Sequence, residues 1–223
     1  MQKEKIVKGF NTIAPFYNII STIVSFNKIH KSQMWLLSKK MKFSKVLIMG
    51  GGDGKFLLNA MQQKLADHYY YVDISGAMIK LAKTKIKKQS ALSLDSVTFV
   101  CGSYQDIPDN ETFDLMVTPY FLDCFSEREL SLVVAKLHTR LTIGGTWFFA
   151  DFNIPDDSFW RFTFKTIIQL LYGIFNFFCD LGVSHLPNFN EQFSKYNFTL
   201  LDEKYFLGGL LVARIYKNGN PQY

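Results

Sequence analysis

Residues 46–57, VLIMGGGDGKFL, carry the chain from an apolar run through a cluster of glycines into an amphipathic stretch. Glycines at 50, 51, 52 and 54 let a backbone turn sharply and leave no Cβ between it and a ligand. A helix beginning near Gly54 would point its free N–H groups at the same place, which suits a carboxylate or a phosphate. The spacing separates two kinds of ligand. A dinucleotide fingerprint runs G-x-G-x-x-G, and its third glycine would fall on Lys55; here the pattern is G-x-G-x-G. Asp73 lies 19 residues beyond Gly54, at the end of the apolar run YYYVDI. A carboxylate at a strand end can accept two hydrogen bonds from ribose hydroxyls. Glycines followed by such an acid describe a nucleoside site without a pyrophosphate.

These residues need elements to position them. KVLIMG (45–50) is short and nearly all apolar, as in a strand buried on both faces of a parallel sheet. Further strands are predicted at 69–74, 96–101, 113–118 and 146–152, alternating with amphipathic helices at 54–66, 76–88 and 127–141, the last closed by Thr-Ile-Gly-Gly. A long aromatic helix at 158–179 and a short one at 189–196 follow. Two strands, 197–206 and 209–217, close the chain around Gly208 and Gly209; with no room for a crossover helix they must be antiparallel. Residues 3–40 read as helical with a break at Pro15. The expected organisation is one domain spanning 1–223: a helical lid (1–40), an α/β core (41–217) and a frayed tail (218–223).

Composition narrows the function classes. The 223 residues are 48% hydrophobic, enough for a core without staples, and include 22 Phe and 11 Tyr, which suits an apolar pocket or a membrane-facing patch. The net charge of +6 fits weak attraction to anionic surfaces as well as an ordinary cytoplasmic protein. Three scattered cysteines without a CxxC, and four histidines far apart in sequence, suggest neither a disulfide framework nor a metal site. No apolar run is long enough to span a bilayer, and no aromatic–basic interleaving points to nucleic acid.

The blocks VLIMGGGDG, YYVDISGAMIKLAK, VTFVCGSYQDIP, FDLMVTPYFLDCF and LHTRLTIGGTWFFADF, taken in order, resemble the class I S-adenosylmethionine-dependent methyltransferases over nearly the whole chain. The N-terminal FNTIAPFYNIISTIVSFNKIHKSQMW is similar to the ubiquinone and menaquinone biosynthesis branch. The resemblance implies a Rossmann-like seven-stranded, mostly parallel sheet of order 3-2-1-4-5-7-6, the seventh strand antiparallel, with helices on both faces. It implies S-adenosylmethionine as cofactor and S-adenosylhomocysteine as product. Gly50, Gly51, Gly52 and Gly54 would lie against the methionine part and ribose, Asp73 would hold the ribose hydroxyls, and Ile74 and Met78 would face adenine. Ser103 and Tyr104 would form the adenine loop, Thr118 would sit beneath the sulfonium, and Tyr17 would cover the cofactor. Near the methyl group, the candidates for catalysis are Tyr120 and Asp123 after the fourth strand, Asp151 at the end of the fifth, and His185 after the aromatic helix. Each has a plainer alternative: packing for Tyr120, a cap for Asp123 before the helix at 127–141, a loop cap for Asp151, surface for His185.

Two departures stand out. The family usually has an acid two residues before the first glycine, where this chain has Ile48, and often an acid after the adenine-loop glycine, where it has Ser103. Asp53 could partly compensate for Ile48 or simply face water. The expected acceptor is a small apolar or aromatic molecule, quinol-like or lipid. The segment 159–179 is open to four readings: a core helix packed on the sheet, a peripheral membrane contact, a wall of the pocket or a homodimer face. A non-catalytic S-adenosyl-binding module, and more distantly an aminopropyltransferase-like enzyme, remain as alternatives.

Overall fold

The computed structural model describes residues 9, 26–155, 159–179 and 182–219. Seven strands form one sheet in the order β3-β2-β1-β4-β5-β7-β6: β1 Phe43–Met49, β2 Ala66–Asp73, β3 Val97–Cys101, β4 Phe113–Pro119, β5 Leu141–Phe152, β6 Phe198–Phe206 and β7 Leu211–Asn218. Strands β1 to β5 pair in parallel, and β7 runs antiparallel to both β5 and β6. The expected topology is what the chain adopts.

The period of two along β1 explains the layers. Val46 and Ile48 point to one face, Leu47 and Met49 to the other, and all four are buried. The first face is covered by α1 (Phe26–Leu37), α2 (Lys55–Gln62) and α3 (Gly76–Lys87). The second is covered by α4 (Glu127–His138) and α6 (Phe189–Ser194), whose Phe189 and Phe193 pack on Trp147 and Phe149. Helix α5 (Arg161–Cys179) lies elsewhere: Phe164, Ile168 and Tyr172 pack with Leu210, Leu211 and Phe152, beyond the carboxyl end of β5. Of the expected lid, α1 is the described part; it packs on α2 and on β5, β6 and β7.

Two boundaries moved for local reasons. The helix expected over 54–66 stops at Gln62 because Lys64 turns left-handed (φ 53°), and β2 starts at Ala66 with a polar, half-exposed turn of sequence that carries no strand signal. The expected break at 142–145 is a bulge rather than a loop. Leu141 pairs with Phe113 and Thr146 with Leu115, so four residues of β5 face Asp114 alone.

Candidate active site

The bend after β1 is braced from below and open above. A Cβ on Gly51 would fall 2.2 Å from the Tyr71 ring, and the Tyr71 hydroxyl donates to the Gly52 carbonyl at 2.6 Å. Gly54 begins α2 with φ +79°, and a Cβ there would stand 2.7 Å from the Ala82 Cα of α3. By contrast, among the described residues nothing lies within 4 Å of the Cβ position at Gly52, whose φ is +63°. This is the side on which a ligand can approach the main chain.

Asp73 meets the bend directly. One carboxylate oxygen accepts the Gly52 N–H at 2.8 Å and the other accepts the Ser75 N–H at 2.8 Å. Burial pushes its pKa up to about 6, against the opposing pull of those two N–H groups. Met78 is buried beneath, its N–H held at 3.3 Å by Ser75, which caps α3; Ile74 between them is partly exposed. An open main-chain face beside a buried carboxylate fits an adenosyl group.

Several expected residues sit differently. Thr118 does not line the crevice: it is fully buried and its hydroxyl accepts the Trp147 indole N–H at 2.9 Å. The Ser103 hydroxyl donates to Asp106 at 3.0 Å and accepts from the Gln105 N–H at 3.3 Å, so it is an N-cap rather than a spare acceptor. The acid of that loop is Asp106, which sequence reading missed although Ser-x-x-Asp is a capping-box spacing. Tyr104 packs edge-on to Phe125, with ring centroids 6.1 Å apart. Asp53 neither faces water nor turns to Ile48; it pairs with Lys85 and, at 3.8 Å, with Lys55. Ile48 itself is buried in the first core face, where an acid would be surrounded by apolar side chains. Tyr17 lies outside the described residues. His185 is exposed, its Nδ1 3.1 Å from the Ser184 hydroxyl.

The other side of the crevice, at the ends of β4 and β5, is built from side chains. Tyr120 has a left-handed φ of 56°, and its N–H bonds the Ala150 carbonyl at 2.7 Å. Its hydroxyl meets Ser32 of α1 at 2.7 Å; the Ser32 proton goes to the Ile29 carbonyl, so Tyr120 donates. Phe121 abuts the bend, 2.7 Å from where a Gly50 Cβ would be. Asp123 and Asp151 are both buried and close enough for each to act on the other's ionisation. Asp151 also accepts the N–H groups of Phe152 at 2.9 Å and Asp123 at 3.3 Å. Burial raises Asp123 to about 6, and burial together with the Asp123 charge raises Asp151 well above the usual carboxylate range. Two carboxylates so placed hold a proton between them near neutral pH. The Tyr172 hydroxyl of α5 donates to the Asp123 carbonyl at 3.2 Å. The cap of α4 is Ser126 with Glu129, which removes the plain capping role considered for Asp123. Ser32 and Tyr172 gave no sequence signal, because only the fold brings them here. Among the described residues, no group of three or more His, Cys, Asp or Glu side chains could hold a metal ion.

Known proteins give the same picture. Residues 46–145 match the family model described as a methyltransferase domain. The chain is 25% identical to the ubiquinone/menaquinone biosynthesis C-methyltransferase UbiE of Geotalea daltonii, over 83% of this chain and 80% of that one. It is 21% identical to the demethylmenaquinone methyltransferase of Listeria welshimeri, over 100% of this chain and 89% of that one. Among solved structures it shares its fold with the N-methyltransferase NodS of Bradyrhizobium japonicum in complex with S-adenosyl-L-homocysteine (TM-score 0.62, 14% identity, 86% of each chain). With the matched domain over 46–145, the 3-2-1-4-5-7-6 sheet and a bend open beside a strand-end carboxylate, the chain is similar to the class I S-adenosylmethionine-dependent methyltransferases.

Proposed function

We propose that this methyltransferase acts on a small apolar or aromatic acceptor, quinol-like or lipid, held at the carboxyl ends of β4 and β5. The observation that carries this reading is the ring-lined wall beside the bend: Tyr120 edge-on to Phe152 at 5.6 Å, with Phe121 next to it and Phe164 and Ile168 of α5 behind. The names of the relatives, which concern menaquinone and ubiquinone biosynthesis, point the same way.

Gly50, Gly51, Gly52 and Gly54 would receive the methionine part and ribose of the cofactor, Asp73 the ribose hydroxyls, Ile74 and Met78 the adenine, and the loop of Ser103 and Tyr104 its edge. When bound, S-adenosylmethionine supplies an electrophilic methyl carbon on a sulfonium. The chain's own work is then alignment and exclusion of water, done by the aromatic wall. A phenolic or ring proton leaving the acceptor needs a base. The Asp123–Asp151 pair, with Asp123 near 6, has a carboxylate available for it at neutral pH. Tyr120 positions the acceptor through its fixed ring. His185, exposed, has no part in this.

Helix α5 also shapes the surface. Phe162, Leu170 and Phe177 are 81%, 68% and 83% exposed along one side, next to exposed Arg161 and Lys165. Residues 159–179 contain no acid, and among the described residues no helix is long and apolar enough to cross a membrane. This supports a peripheral contact with an anionic bilayer, where a lipid acceptor resides.

The test is turnover. The protein is incubated with S-adenosylmethionine labelled in the methyl group and with a lipid extract to which a reduced, demethylated quinone is added. The expected result is label in an organic-phase product heavier by one methylene, absent with Asp73→Ala. Label confined to water-soluble products overturns the acceptor class.

A further inference from the structure

The amino-acid end of the cofactor lacks its usual partner, since Ile48 stands where the family has an acid and lies in the core. Asp53 is taken by Lys85 and Lys55. In α1, Nδ1 of His30 is buried and has no hydrogen-bond partner among the described residues. A buried polar atom left unpaired costs about 1–3 kcal/mol, so a native fold seldom keeps one unless something else supplies the partner.

The setting of His30 is specific. It lies in the first turns of α1, two residues before Ser32, whose hydroxyl meets Tyr120 at the end of β4. Helix α1 packs on α2, whose first residue is Lys55. The charged groups that act on the imidazole are the Lys55 ammonium and the Asp53 carboxylate. Burial, reinforced by Lys55 and opposed by Asp53, holds His30 below its ordinary pKa of 6.5, so the ring is neutral at pH 7. A neutral imidazole in its Nδ1–H form donates one hydrogen bond, and the neighbouring ammonium favours an anion as acceptor. Asp73 fixes the ribose on the β2 side of the bend, which leaves the α1 side to the amino-acid end.

We propose that His30 is a cofactor-binding residue whose Nδ1–H holds the carboxylate of the methionine end beside the glycine bend. This rests on the reading of the bend as the S-adenosylmethionine site. It is tested by calorimetric titration of wild type, His30→Ala and His30→Asn with S-adenosylmethionine, its decarboxylated form and 5′-methylthioadenosine, alongside thermal melting of each variant. The expected result is a loss of about tenfold or more in affinity of His30→Ala for S-adenosylmethionine, from loss of a hydrogen bond to a charged group. Its affinity for the two ligands lacking a carboxylate stays within about twofold, and His30→Asn, whose amide nitrogen takes the place of Nδ1, recovers most of the loss. Equal losses for all three ligands mean a packing role and overturn the proposal. So does a wild type that binds the decarboxylated form as tightly as the intact one, which leaves the site itself standing. A wild type that binds none of the three removes the site and the proposal together.

Discussion

Around Gly52 the crevice is made of main chain, whereas around Asp123 it is made of side chains delivered by separate elements. The bend is held by the Tyr71 hydroxyl, the Asp73 carboxylate and the close approach of α2 to α3, all within one stretch of β1–β2–α3 sequence. The far side draws Tyr120 from β4, Asp151 from β5, Tyr172 from α5 and Ser32 from α1. At Gly51 and Gly54 the main chain tolerates no added Cβ without a clash. A wall of rings and a buried acid pair can be remodelled one side chain at a time. The first half therefore suits the cofactor, and the second suits the acceptor proposed above.

The sharpest break of this comparison is Gly54→Ala. The new methyl would meet the Ala82 backbone at 2.7 Å in a residue whose φ is +79°. Left-handed strain of about 1–2 kcal/mol adds to about 1–3 kcal/mol of overpacking. At about 2–4 °C per kcal/mol for a chain of this size, the melting temperature should fall by about 10 °C, and cofactor binding should be lost at any concentration reached by calorimetry. A variant that melts with the wild type would show that the bend is soft.

Asp73→Asn comes next. On the proposed ribose role of Asp73, replacing this charged acceptor should weaken cofactor binding about 30–100-fold, or about 2–3 kcal/mol, while the fold persists. The wild type adds a pH signature. Its carboxyl titrates near 6 in the free protein, and the ionised form is the one that accepts two hydroxyls, so affinity falls as pH drops through about 6. In the asparagine variant affinity should be flat between pH 5 and 8. A wild-type profile equally flat removes Asp73 from the ribose.

On the other side, Asp123→Asn should separate stability from turnover. Burial raises the folded pKa of Asp123 to about 6, so the folded protein holds this proton more tightly than the unfolded chain. Stability is full below the ordinary carboxylate range and declines as pH rises toward about 6. A shift of two units is about 3 kcal/mol; the amide keeps part of the burial penalty, so the variant should gain about 1–2 kcal/mol at pH 8 and nothing at pH 4 in urea unfolding. Turnover should fall about 100-fold with cofactor affinity unchanged. Unchanged turnover would leave the acid pair a structural feature and narrow the comparison to the cofactor side.

The same contrast explains what could be read before the fold was known. Gly50–Gly54 and Asp73 were legible because backbone sterics force glycine at a braced bend and chain order forces the acid onto the neighbouring strand. Alternating apolar runs gave a parallel sheet, and the closing Gly208–Gly209 turn, with no room for a helix, gave an antiparallel last pair; the order of the strands came from the family resemblance. Thr118 was misplaced because strand alternation says which residues share a face, not which face meets Trp147. That Ser103 is tied to Asp106 was not read, because the two lie inside a turn too short to show a period. His30, Ser32 and Tyr172 were silent, since their meaning depends on packing between elements far apart in sequence.

The smallest effect should come from the outer side of α5. Phe162 and Leu170 are 81% and 68% exposed and sit two turns apart on one helix face, beside Lys165. Partial burial of each in a headgroup layer is worth about 1 kcal/mol, so Phe162→Ser and Leu170→Ser should each weaken co-sedimentation with phosphatidylglycerol-containing vesicles about fivefold, and together about 25-fold. Vesicles of phosphatidylcholine alone should bind more weakly and without dependence on salt, because Arg161 and Lys165 then have no anionic surface to meet. Neither substitution touches the bend, so cofactor affinity should not change. If the double variant still sediments with the vesicles but loses a dimer seen for the wild type by light scattering, the face joins two copies of the chain, and the acceptor must reach the aromatic wall from water.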